Sequence, residues 1–500
     1  MRTQPQNQGS YYHHQPIKKV DQYCYSSLHI LNNNMSPDHK LPPQTQISFQ
    51  RQEDSYFTLE SSTLSSYPSH ESPPAASVSS SRTPLSSQEG SQSHNSDPTH
   101  NSCNNTHDSP VSNSSTSIVD DNEILDLKQL LIRCAEAISN GEFSKAVRMT
   151  ETLEHMVSVS GEPFQRLAAY ALEGLRAKLL SSGNIIYKKL KCDEPITSSE
   201  MMSYMSVLYH ICPYYKFAYT SANIIIMEAT RNENRIHIID FCIAQGSQWM
   251  DFIKMLAKRP NGPPSLRLTG VDDSDSFHAR GGGMDIVGTR LKEVADSCKV
   301  PFEFHSAGMS GCDVELERLG IRTGEAIAVN FPYMLHHMPD ESVNTWNHRD
   351  RLIRLVKSLS PKVMTLVEQE SNTNTSHFVA RFCETLDYYN AMFESIEAGC
   401  PKDDDKRRIK TEEHCVARDI VSIIACEGEE RVQRHELFGK WKARLMMAGF
   451  SPCQLNPYVS IAVKEMLKRE FSPNFKTAEM NGALYLGWKN RAMATCSAWR

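Results

Sequence analysis

Apolar positions in the chain first fall into a helical rhythm near residue 124. Ile124, Leu127, Leu130, Leu131, Cys134 and Ile138 share one face, and Ser139-Asn140-Gly141 ends the pattern. Phe143, Ala146, Val147, Thr150 and Leu153 predict a second helix. Phe164, Leu167, Ala168, Ala171, Leu172, Leu175 and Leu179 predict a third, entered through Gly161-Glu162-Pro163. Two more are expected between Ser198 and Ala229, parted at Pro213. The pattern then changes. RIHIIDF (235–241) is a short, nearly continuous apolar run carrying an acid at its end, the pattern of a buried parallel strand. Similar runs follow at 265–273, 301–307, 325–332 and 361–370, with helices expected at Trp249–Lys258, Asp285–Cys298 and Arg349–Leu359. Strands alternating with helices of this length imply right-handed crossovers and a doubly wound α/β sheet. Further helices are expected near 377–396, 416–426 and 435–448. A terminal hairpin is expected in ALYLGWKNRAMATCSAW, after the turn signal Asn481-Gly482.

The first 119 residues show no such rhythm. Residues 61–120 hold 21 Ser and 6 Pro but only six Val, Ile or Leu. Such a segment buries too little apolar surface to offset its chain entropy, so residues 1–119 are expected to be a disordered regulatory tail. Residues 120–500 are expected to fold, with 120–230 a mainly helical cap and 231–500 an α/β core ending in a hairpin. Ser36, Ser72, Thr83 and Ser109 each precede Pro in the tail and are candidate sites for proline-directed phosphorylation.

Composition narrows the class. Mean hydropathy is −0.47 and no apolar run reaches membrane-spanning length, so no membrane partner is expected. The start, MRTQPQNQGSYYHHQ, lacks the apolar stretch of a secretory leader. Fourteen cysteines include no C-x-x-C pair, which argues for reduced thiols in the cytosol or nucleus. A net charge of −6 is not built to hold nucleic acid by bulk charge.

Candidate chemistry is sparse. Asp240, then Asp272 and Asp273, end strands as do the acids that hold a nucleoside in a methyltransferase-like sheet. That reading needs glycines directly after the first strand, where Cys242, Ile243, Ala244 and Gln245 precede Gly246. The preferred reading is that Asp240 caps the next helix and Gly246 eases a turn. Gly281-Gly282-Gly283 lacks the Lys and Ser/Thr of a phosphate loop and reads as a flexible helix entry. His336-His337 is not expected to bind metal, because adjacent histidines point apart and no ligand spacing completes a site. Lys406-Arg407-Arg408, with Lys410, reads as part of a solvated mixed-charge loop. Leu127, Leu130 and Leu131 spell L-x-x-L-L, which suits either a partner's groove or the helix's own core stripe.

Several blocks together resemble the plant GRAS family. IHIIDFCIAQGSQW (236–249) resembles its central motif. LIRCAEAISNGEFSKAV is similar to its first leucine-rich region and RLKEVADSCKVPFEFH to its second. AVNFPYMLHHMPDES, LVEQESNTNTSHFVARFCETLDYY, WKARLMMAGF, LGWKNRA and the terminal SAW resemble its later blocks. The tail's SYFTLESS resembles the phytochrome A signalling branch of scarecrow-like proteins.

The resemblance implies a methyltransferase-like, Rossmann-like core with an N-terminal helical cap, and a plant transcriptional regulator rather than an enzyme, with no cofactor. It implies partners among zinc-finger proteins of the indeterminate-domain type, other GRAS proteins or a second copy, with DNA contacted indirectly. It also implies a role in light signalling and residence in nucleus and cytoplasm. Direct sequence-specific DNA binding is the first alternative. An S-adenosylmethionine binder or methyltransferase is the second. Family positions fall on His237, Ile238, Ile239, Asp240, Arg418, Asp419, Trp441, Trp488, Ser497, Ala498 and Trp499. Cys242 stands where the family has Gln. Asp419 stands where it has Glu, one methylene longer.

Overall fold

The computed structural model describes residues 126–180, 197–272, 282–400 and 405–500. The tail, and with it Ser36, Ser72, Thr83 and Ser109, lies outside these residues, as do Asp273 and Gly281.

Five parallel strands form the centre: β1 (Arg235–Asp240), β2 (Ser265–Asp272), β3 (Phe302–Gly308), β4 (Ala326–Pro332) and β5 (Val363–Gln369). The short β6 (Pro452–Cys453) joins the sheet at its side. β7 (Phe475–Met480), β8 (Ala483–Trp488) and β9 (Arg491–Trp499) extend it with antiparallel pairing. The order is β3-β2-β1-β4-β5-β9-β8-β7, a Rossmann-like arrangement that reverses direction between β1 and β4. Successive residues of β1 serve opposite sides. Ile236 and Ile238 enter one apolar core, and Ile239 enters the other.

Helices cover both faces. α1 (Leu127–Ser139), α2 (Phe143–Glu154), α3 (Pro163–Leu179), α4 (Ser198–Ile211) and α5 (Tyr214–Ala229) precede the sheet. α6 (Ser247–Leu256) and α7 (Met284–Ser297) pack on the same face as α5, whereas α8 (His348–Ser358) packs on the other. After β5 come α9 (Phe378–Gly399), α10 (Asp405–Glu412), α11 (Arg418–Ala425), α12 (Phe438–Met447) and α13 (Pro457–Glu470). Residues Glu413–Ala417 form a π-helical turn, so α10 and α11 are one helix with an inserted residue's worth of slack.

The helical cap draws on chain from both sides of residue 230. α3 packs against α9 and α11, and α4 against α10. The expected 416–426 helix therefore starts eleven residues earlier, at Asp405, and the expected loop at Lys406–Lys410 is helical. Arg408 and Glu412 turn inward there, and each meets Arg166 or its partners rather than solvent. α13 and β7 were not anticipated. The turn at Asn481-Gly482 joins β7 to β8, both residues having positive φ.

Candidate functional site

In an open α/β sheet a ligand sits beyond the carboxyl ends of the strands, at the point where strand order reverses. Here that point lies between Asp240 at the end of β1 and Asn330 in β4, which are register partners. Asp240 is buried, and its carboxylate accepts from Trp249 Nε1 at 2.6 Å and Asn330 Nδ2 at 3.1 Å. Burial pushes its carboxyl up to about 7 despite these donors. The network continues through Gln248 to Asn223, and through Asn330 to Thr365. Asp240 therefore does not cap α6. Gly246 holds the N-cap, at φ 76°. A Cβ there would lie 2.9 Å from Val287 Cγ1, so glycine answers to both the turn and the packing.

The turn that follows β1 is packed into the protein. Cys242, Ile243, Ala244 and Gln245 are all buried. Ile243 presses on Gly270 of β2, where an added Cβ would stand 3.1 Å from its side chain. The cap closes the neighbouring ends of β4 and β5. Tyr214, Tyr215, Tyr333, Tyr388 and Tyr389 there line a cavity of about 30 Å³. That volume suits one or two waters. Gln369 Oε1 and Tyr389 Oη are buried at this cavity without a hydrogen-bond partner among the described residues, which makes water their natural company.

On the opposite side of β1, His237 Nδ1 accepts from Arg267 Nη2 at 2.9 Å, so Nε2 carries the proton offered to Thr269 Oγ1 at 2.7 Å. Burial, reinforced by Arg267, lowers its pKa to about 3, and the ring stays neutral. His237 is a cross-strand pin, and Ile238 and Ile239 are core.

His336 and His337 do not point apart. Their ring centroids are 4.0 Å from each other, and His435 lies 4.4 Å from His336. Glu368, at the end of β5, binds His336 Nδ1 at 2.5 Å and the backbone N–H of Leu335 at 2.8 Å. Burial raises Glu368 to about 8 and lowers His336 to about 3, so the pair shares one proton without net charge. No cluster of three metal-ligating side chains occurs among the described residues. Behind them Arg349 pairs with Asp340 and Glu436, and its guanidinium stacks 5.0 Å from the Trp441 ring. Arg444 bridges Asp340, Glu341, Asp350 and Glu436. Sequence reasoning missed this network. Its signal was an acid inside the apolar run VMTLVEQ and the charged pairs of HHMPDE and RHE, far apart in the chain.

The other family positions are structural. Arg418 is half-buried at the start of α11, and buried Asp419 accepts from Gln433 Nε2 at 2.7 Å. The shorter acid thus still reaches a donor. Trp488 donates to Glu394 at 3.0 Å and packs on Phe475. Trp499 is fully buried and donates to Ser497 Oγ at 2.9 Å, while Ala498 pairs with Thr365 of β5. The closing SAW is the seam that fastens β9 between β5 and β8. Of the two leucine readings, the packing matches the core stripe. Leu130 and Leu131 are buried in the main core and partly buried Leu127 packs against it.

Comparison with known proteins agrees with this architecture. The family model for the GRAS domain matches residues 127–500. Scarecrow-like protein 13 of Arabidopsis thaliana is 52% identical over 95% of this chain and 97% of its own length. Scarecrow-like transcription factor PAT1 of the same plant is 57% identical over 75% of this chain and 76% of its own. The crystal structure of SCL7 from Oryza sativa superimposes with a TM-score of 0.66 at 30% identity, covering 75% of this chain and all of that one. The chain belongs to the GRAS domain family, whose members are plant transcriptional regulators.

Proposed function

We propose that this protein is a transcriptional co-regulator that works through DNA-binding partners, in the nucleus and also in the cytoplasm. The partners are zinc-finger proteins of the indeterminate-domain type, other GRAS proteins or a second copy of the chain. The observation that carries this reading is the closed switch point. Asp240, the acid at the switch point, spends its carboxylate on Trp249 and Asn330. The adjoining cavity, at about 30 Å³, suits water rather than a cofactor. Charge adds to the argument. Residues 120–500 carry 47 basic and 50 acidic side chains (53 − 6 and 59 − 9), a balance that gives no bulk attraction to DNA. The tail's resemblance to the phytochrome-signalling branch, with the similarity to PAT1, supports a role in light signalling.

The test is DNA selection from a random duplex pool by the full chain, with and without an indeterminate-domain zinc-finger protein. Enrichment that requires the zinc finger is expected. Enrichment by the chain alone, lost steeply with salt, would overturn the reading in favour of direct DNA binding. Saturable binding of S-adenosylmethionine, weakened by Asp240→Ala, would overturn it in favour of a methyltransferase.

A further inference from the structure

A second concavity, of about 380 Å³, opens where α9 begins. Three arginines line it: Arg381, Arg431 and Arg434, only 3%, 6% and 2% exposed. Buried guanidinium groups ordinarily meet carboxylates. Arg431 and Arg434 meet carbonyls instead. Arg431 donates to the backbone oxygens of Thr373 and Asn374, and Arg434 to Gly428 O and, at 3.5 Å, to Asn374 Oδ1. Neither forms a salt bridge among the described residues. Glu427 is the one carboxylate lining the pocket, and Arg381 and Lys178 already share it. The acid cluster behind Asn374 is engaged by Arg349 and Arg444.

Two further observations concern donors that the protein leaves without an acceptor. Arg431 Nε is buried without a hydrogen-bond partner among the described residues. The amino terminus of α9, a 22-residue helix, opens into the same space without a side-chain cap. Its N-cap is His377, and the neighbouring Ser376 hydroxyl turns back to Asn372 O. The first-turn N–H groups and the positive end of the helix are left for an external acceptor. Burial and the neighbouring arginines lower Arg431 to about 9 and Arg434 to about 10, the mark of positive charge short of counter-charge.

We propose that this pocket binds a phosphoryl oxyanion, as free phosphate or as a phosphorylated serine or threonine, against Arg381, Arg431, Arg434 and the start of α9. Guanidinium forks and helix N–H groups both match its tetrahedral oxygens. Its double negative charge answers three arginines set against one carboxylate. A carboxylate ligand offers half that charge and fewer acceptors.

The experiment uses the phosphatase-treated full chain at fixed ionic strength. Inorganic phosphate and the peptide PSHESPPAA (68–76), phosphorylated at Ser72, are titrated separately. Thermal stability and amide hydrogen exchange are read. Saturable stabilisation is expected, with exchange slowed at Phe378–Ala380 and along Gly428–Arg434. Arg431→Gln should weaken binding about tenfold or more. Tighter binding of the peptide identifies a phosphorylated chain as the source, and equal or tighter binding of phosphate identifies the free ion. Absence of saturation by either probe overturns the proposal. So does protection confined to other regions, which is read on the unsubstituted chain and stands even where Arg431→Gln fails to fold. Wild-type affinity in a folded Arg431→Gln variant overturns it as well.

Discussion

Two of the clusters of buried arginine are treated oppositely. In the cap, Arg166 pairs with Glu412 at 3.0 Å and Glu397 at 2.5 Å, and Arg408 pairs with Glu412 and Asp405. Two guanidinium groups there meet three carboxylates. At the start of α9, three guanidinium groups meet one. The first cluster is closed, and its charge is spent on holding α3 to α9 and α10. The second is propped on backbone carbonyls, which orient the arginines without cancelling their charge. Counter-charge from the chain turns a buried arginine into architecture. Its absence leaves a site.

The most damaging way to probe this contrast is Arg166→Met. It takes from fully buried Glu412 one of its two guanidinium partners, leaving Arg408 alone to balance it, and should cost about 3–5 kcal/mol in urea unfolding. Phosphate affinity of the molecules that remain folded should not change. Next in size is Leu131→Ala, which asks whether the cap's apolar stripe is core or contact surface. A loss of about 2–5 kcal/mol is expected. Partner association per folded molecule should be unaltered, and selective loss of association at normal stability would restore the leucines as a docking face.

A subtler contrast lies along β1. Asp240 is raised from 3.8 to about 7, so its contribution to stability is full below about pH 4 and lost as pH climbs through 7. His237 is lowered from 6.5 to about 3, so its contribution is full above 6.5 and lost as pH falls toward 3. The two slopes oppose each other. Between pH 7 and 4, Asp240→Asn should therefore lose stability on acidification more steeply than wild type, and His237→Gln less steeply. Thermal melts across that range would show it. The smallest stability effect should come from Glu427→Gln. This half-exposed group should change stability within about 1 kcal/mol. Removing the pocket's one lining carboxylate should strengthen phosphate binding about fivefold, and weaker binding would deny that the pocket's charge drives it.

Periodicity made the scaffold legible. Leu130, Leu131, Ala171 and Leu175 are where their spacing places them, and each strand of the parallel sheet lies within two residues of its apolar run. The polar residues were harder. Lys406, Arg407 and Lys410 are exposed, as the crowded charges suggest, yet Arg408 between them is buried against Glu412 one turn on, which Arg166 also holds from across the cap. His336 and His337 looked divergent because neighbours on a regular element diverge. A short 3₁₀ turn brings their rings together instead. α13 has a weaker apolar stripe, with Tyr458 and Ile461 in solvent, and its pattern did not stand out.

Residue spacing alone placed most of the helices and all five parallel strands, and the sequence blocks alone carried the resemblance to the GRAS family. Local spacing suffices for the elements, because each depends on residues a few positions apart. Only the tertiary structure decided which charges are spent and which are left. Arg166 finds Glu412 across 246 residues, Asp240 finds Asn330 across 90, and Arg431 finds Thr373 across 58. No pattern along the chain encodes such meetings. They follow from the sheet order and from the way the cap folds back over it, and they separate a sealed switch point from an open arginine pocket.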